Sequence, residues 1–125
     1  MAWSPYRLLQ AIRNRHRDVG IYTSPVLLRE LIGVIKRPAF SKRIETIGKT
    51  PHEIVADYIE IVDLIEPTET PRLARDPDDD HVLACALAAQ AEVIVSGDRD
   101  LLDLGAFGDT RILSAVEALE LLGIS

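Results

Sequence analysis

Residues 76–98 read Asp76-Pro77-Asp78-Asp79-Asp80-His81-Val82-Leu83-Ala84-Cys85-Ala86-Leu87-Ala88-Ala89-Gln90-Ala91-Glu92-Val93-Ile94-Val95-Ser96-Gly97-Asp98. Asp76 followed by proline is an N-cap with proline at the first helical position, and the run after it is rich in helix formers up to Gln90. Glu92 to Ser96 is a β-branched run of the kind a buried parallel strand carries, ending in Gly97-Asp98. Pro77–Gln90 as a helix spans about 21 Å, and Glu92–Asp98 as a strand spans about 23 Å. A tight turn between two such elements makes them antiparallel and returns Asp98 to the level of Asp79 and Asp80. Asp98 also falls at the carboxyl end of its strand, where open α/β sheets place their ligands.

The same alternation extends outward from this unit. Ser4-Pro5 opens a helix whose apolar side is Leu8, Leu9 and Ile12, and Asp18-Val19-Gly20 turns into a strand at Ile21–Thr23. Ser24-Pro25 caps a second helix reaching Lys36, which Arg37-Pro38 stops. Ser41–Ile47 reads as a short helix. Thr50-Pro51-His52-Glu53 is a capping box for a helix to Tyr58, and Ile61–Ile65 is a strand. Past Asp98, Arg111–Leu113 is a strand and Ser114 with Glu117 caps a C-terminal helix. Strands alternating with helices imply an α/β layer fold with a mainly parallel sheet.

Length and composition set the outer limits. The 125 residues suit a single domain, 1–125, and the 47% apolar share excludes a disordered chain. The longest near-apolar run, Val82–Ala89, is far short of the roughly 20 residues of a membrane span, and no secretory signal is visible, so a cytoplasmic location is expected. The single cysteine, Cys85, excludes an internal disulfide and sits among apolar neighbours as a core residue. The net charge of −6 is unevenly divided: residues 1–50 carry 10 Lys/Arg against 3 Asp/Glu, and residues 51–125 carry 4 against 17. A basic half attracts a polyanion, and dense carboxylates tolerate one when cations lie between them.

Three groups of acids call for explanation. Glu30 falls inside the apolar arc formed by Val26, Leu27, Leu31, Val34 and Ile35, where a carboxylate is costly unless paired or bound to metal. Asp76, Asp78, Asp79 and Asp80 exceed what capping a helix requires. Asp98 and Asp100 follow an apolar strand. Glu30 lies in the second turn of a helix that follows another strand's carboxyl end, so all three groups are expected at one rim. Hard oxygen donors without cysteine or a histidine pair suit Mg²⁺ or Mn²⁺.

Ser24-Pro25-Val26-Leu27-Leu28-Arg29-Glu30-Leu31, Arg37-Pro38-Ala39-Phe40, Asp76-Pro77-Asp78-Asp79-Asp80 and Ser96-Gly97-Asp98-Arg99-Asp100-Leu101-Leu102, in that order, resemble the PIN-domain ribonucleases, specifically the toxin components of bacterial toxin–antitoxin pairs. The resemblance runs from about Pro5 to the C-terminus. It implies a three-layer α/β/α fold and a metal-dependent endoribonuclease in which carboxylates hold Mg²⁺ or Mn²⁺ and activate water for phosphodiester hydrolysis. By that match Glu30, Asp79 and Asp98 are metal ligands, with Asp80 the neighbouring choice to Asp79. Asp100 is an accessory acid and Ser96 a polar helper beside Asp98. The implied partners are an RNA substrate, a cognate antitoxin and a second copy of the chain.

One departure from the family pattern is plain. Its members begin with an apolar strand ending in Asp-Thr-Asn, which supplies the first metal carboxylate, whereas Met1-Ala2-Trp3-Ser4 leads straight into the first helix and nothing before Asp18 is acidic. The expected fold is therefore PIN-like without its usual first strand, an N-terminally truncated domain. Two readings stay open: an active nuclease, and a catalytically inactive PIN-like module that binds a partner protein or RNA. Phosphoryl transfer on an aspartate is disfavoured because it needs a lysine after the nucleophile, and none follows Lys49. Arg13, Arg15 and Arg17 at the end of the first helix and Arg37, Lys42 and Arg43 after the second are the candidate RNA-facing groups.

Overall fold

The structure is a computed structural model that describes residues 4–15, 18–74 and 76–123. The expectations for Met1–Trp3 and for Arg17 lie outside the described residues. The chain divides into two compact units, Met1–Leu64 and Ile65–Ser125.

In the first unit, α1 (Ser4–Asn14) leads to β1 (Ile21–Thr23), α2 (Pro25–Ile35), α3 (Pro38–Thr46), α4 (Pro51–Ile61) and β2 (Val62–Leu64). The start signals work as read. The Ser24 hydroxyl accepts from the Leu27 amide with Pro25 behind it, and Thr50 and Glu53 form the reciprocal capping box. β1 and β2 pair in parallel, Ile21 opposite Val62 and Thr23 opposite Leu64. Ile35, Ile44 and Ile54, from three different helices, make the core, with Tyr6, Leu9, Ile47 and Val55 packed against it. Two boundaries differ from the sequence reading. Pro38 stops α2 but also serves at the first position of α3, so that helix starts three residues earlier than Ser41. α4 runs on to Ile61 and shortens the strand to Val62–Leu64, because Ile59 to Ile61 suit either element and the helical hydrogen bonds are already in place.

In the second unit, α5 (Pro77–Ala89) is followed by β3 (Val93–Val95), α6 (Arg99–Leu104), β4 (Ala106–Phe107), β5 (Thr110–Leu113) and α7 (Ala115–Leu121). β3 and β5 are parallel, and β4 folds back antiparallel on β5. The turn after α5 is as tight as its length arithmetic demands. Gln90 takes the left-handed conformation at φ 52°, and the Ala91 amide reaches back to the Ala86 carbonyl at 3.0 Å. The Thr110 hydroxyl then donates to the Ala91 carbonyl at 2.7 Å, tying the start of β5 to that turn. Leu83, Ala86, Ile94, Leu101 and Ile112 form the core, and Cys85 is buried beside it at 5% exposure, as read.

The α/β class with parallel strand pairing is thus what the chain adopts. Two elements escaped the sequence reading, α6 and β4. Both are short, at six and two residues, too short for a periodic signal.

Candidate metal centre

Asp79 occupies the third position of α5. Asp76, the N-cap, turns its own carboxylate to the Asp78 amide at 3.0 Å, and its carbonyl takes the Asp79 amide. Capping is therefore done by Asp76, which leaves Asp79 for another task. Asp98 is the N-cap of α6: its Oδ2 accepts from the Leu101 amide at 3.1 Å, and its own amide donates to the Ser96 Oγ at 3.0 Å. Leu101 is 2% exposed, so the amide that orients Asp98 is anchored in the core. Asp100 stands in the first turn of the same helix.

These elements bring Asp79, Asp98 and Asp100 together, each offering a carboxylate oxygen within 4.8 Å of the others. The return of the β3 strand to α5 therefore meets Asp79, as the length arithmetic required. Asp80 is turned elsewhere. It is 6% exposed, and its Oδ1 accepts from the backbone amides of Leu73 and Ala74. Glu30 is a half-buried residue of α2, within the first unit. The Ser96 hydroxyl meets Asp98 through the Asp98 backbone amide.

The electrostatics of the trio are those of a site short of positive charge. The Asp79 carboxyl is pushed up to about 6, first by burial, then by the adjacent Asp98 carboxylate and the charges of Asp76 and Asp100. Its Oδ2 is buried with no hydrogen-bond partner. A buried carboxylate oxygen without a donor, beside two exposed carboxylates, is a set of hard oxygen donors suited to Mg²⁺ or Mn²⁺. The donor chemistry fits such an ion.

The basic candidates all belong to the first unit. Arg13 is engaged by two acids of α4, Asp57 at 3.3 Å and Glu60 at 3.2 Å, and Lys49 joins Asp57 at 3.4 Å. Arg13 thus fastens α1 to α4. Arg15 is exposed at the end of α1, Arg37 is the exposed N-cap residue of α3, and Lys42 and Arg43 are exposed along that helix. Sequence reasoning missed the use of Asp80 and the two-amide seat it makes with residues 73–74. No spacing rule announces such an interaction. Among the described residues no helix is long and apolar enough to cross a membrane.

A family model for the PIN domain matches residues 3–100, most of the chain and all three members of the carboxylate trio. No curated protein and no solved structure matches the chain.

Proposed function

The chain belongs to the PIN domain family, whose members are generally nucleases, and from that premise we propose that it is a Mg²⁺- or Mn²⁺-dependent endoribonuclease of the toxin type. The observation that carries the proposal is the Asp79–Asp98–Asp100 cluster with its donorless buried oxygen. Asp79 and Asp98 are assigned as ligands, and Asp100 as a ligand or as the acid that orients the attacking water. Glu30, an acid placed by its spacing within the apolar arc of α2, is proposed as a further member of the set. The match from residue 3 to residue 100 spans the boundary between the two compact units, which supports treating 1–125 as one functional domain.

A divalent ion in this seat supplies charge neutralisation to the phosphodiester and a more acidic water. The residues do the rest. The Leu101 amide holds the Asp98 carboxylate while the Ser96 hydroxyl accepts from the Asp98 backbone amide, so the carboxylate is oriented before substrate arrives. Asp79 would release its proton as a cation is taken up, because the cation's charge opposes both the burial and the neighbouring carboxylates that raise its pKa. The basic groups Arg15, Arg17, Arg37, Lys42 and Arg43 are proposed to meet the RNA backbone. An antitoxin is proposed to block the acidic seat with an arginine, whose guanidinium pairs with carboxylates as a cation does; a second copy of the chain is a further proposed partner. The location is proposed to be cytoplasmic.

The test is incubation of the full chain with short single-stranded RNA and Mg²⁺, with chelator and Asp98→Asn as controls. Cleavage abolished by both controls supports the proposal. Mn²⁺ and RNA binding without any cleavage would instead favour the inactive binding module.

A further inference from the structure

Asp79 and Asp80 are adjacent acids with different employment. The Asp80 Oδ1 receives the Leu73 amide at 3.0 Å and the Ala74 amide at 2.9 Å, and the residue is almost wholly buried. Two successive peptide N–H groups converging on one carboxylate oxygen fix both the position and the direction of that piece of backbone against α5. Leu73 and Ala74 in turn line a shallow groove with Asp100, Leu101, Asp103 and Leu104 of α6. Its apolar walls stand open: Leu73 is 63% exposed and Leu104 is 43% exposed. The groove is continuous with the metal centre through Asp100, which belongs to both.

We infer that Asp80 is a positioning residue, which holds the Leu73–Ala74 wall of a groove for the nucleotide next to the scissile phosphate and takes no part in holding the ion. The groove's occupant rests on the nuclease reading above; the clamp does not. Leucine walls cover the flat face of a base or the carbon side of a ribose by excluding water from apolar surface. The Asp103 carboxylate beside them accepts from a hydroxyl or an exocyclic amine. The backbone amides of the wall are consumed by Asp80, so the wall is set before substrate binds.

Asparagine separates the two roles. Its side-chain oxygen keeps two lone pairs and can serve both amides without the charge a cation needs. We compare wild type, Asp80→Asn and Asp80→Ala by hydrogen exchange of the Leu73 and Ala74 amides, by Mn²⁺ titration, and by kcat and KM on short single-stranded RNA. Asp80→Asn should keep amide protection, with Mn²⁺ affinity and KM within about threefold of wild type. Asp80→Ala should lose the protection and raise KM about tenfold, with a smaller change in kcat and Mn²⁺ affinity within the same threefold margin. A loss of Mn²⁺ affinity in Asp80→Asn as large as in Asp98→Asn would overturn the inference, as would unchanged exchange in Asp80→Ala. If Asp80→Ala does not fold, Asp80→Asn decides alone. If the wild type cleaves no RNA, the nuclease reading and the groove's occupant fall together, while exchange and Mn²⁺ affinity still decide the clamp.

Discussion

Asp79 and Asp98 bring carboxylate oxygens within 4.8 Å of each other, one from the first turn of α5 and the other from the cap of α6. Burial of Asp79 and the neighbouring Asp98 carboxylate both favour a proton on Asp79. A cation taken up between the two would displace that proton.

The first consequence is a pH dependence of metal binding. With the Asp79 carboxyl pushed up to about 6, Mn²⁺ must displace a proton below that pH and need not above it. Mn²⁺ affinity should rise as pH is raised through about 6 and level off beyond about 7. Calorimetry in two buffers of different ionisation enthalpy checks this through the protons released. A flat affinity from pH 5 to 7.5 would remove the proton from the account.

A second consequence concerns stability without metal. The folded chain holds a proton on Asp79 that the unfolded chain, at the ordinary value of 3.8, has lost, so folded stability falls as pH rises from about 4 to about 6. Asp79→Asn removes this penalty. After discounting for solvent screening the gain is about 1 kcal/mol at neutral pH, or roughly 4 °C in Tm. The same variant should lose the stabilisation that Mn²⁺ gives wild type. Thermal unfolding with and without Mn²⁺ measures both, and a destabilised Asp79→Asn would mean the side chain is a structural anchor.

Much of this was legible in the sequence, for local reasons. Ser24, Thr50, Asp76 and Ser114 announce helices because each supplies a side-chain acceptor to an amide within three residues. The return of Asp98 to the level of Asp79 and Asp80 followed from element lengths and a tight turn, which do not distinguish the two acids. Asp80 was not legible. Its partners are the Leu73 and Ala74 amides of an irregular loop, and backbone donors carry no residue signature. The pairing of Arg13 was not legible for a similar reason: its acids, Asp57 and Glu60, lie far along the chain.

The core beneath the site offers a third test. Leu101 is 2% exposed and its amide holds Asp98, so Leu101→Ala opens a cavity under the carboxylates. A loss of about 2–5 kcal/mol is expected in denaturant unfolding, with weakened Mn²⁺ binding in the fraction that remains folded. A cost below about 1 kcal/mol would show that the site does not depend on that packing.

RNA binding should depend on the exposed cations of α3 and spare Arg13. If Arg37, Lys42 and Arg43 meet phosphates, changing all three to alanine should weaken binding and lower the salt slope by about 0.7 for each phosphate that is no longer neutralised. Arg13→Ala should leave the slope unchanged, because that side chain is bound to Asp57 and Glu60. Fluorescence anisotropy of a short single-stranded RNA at several salt concentrations reads both. A slope that drops for Arg13→Ala but not for the triple variant would reverse the assignment.

The most direct measurement is a calorimetric titration of the full chain with Mn²⁺ at neutral pH, set beside Asp98→Asn. Wild type should bind one ion with saturable heat, and Asp98→Asn should bind at least about tenfold more weakly, since one of the three clustered carboxylates is gone. Equal heats and affinities for the two proteins would contradict the assignment of Asp79, Asp98 and Asp100 as a metal centre.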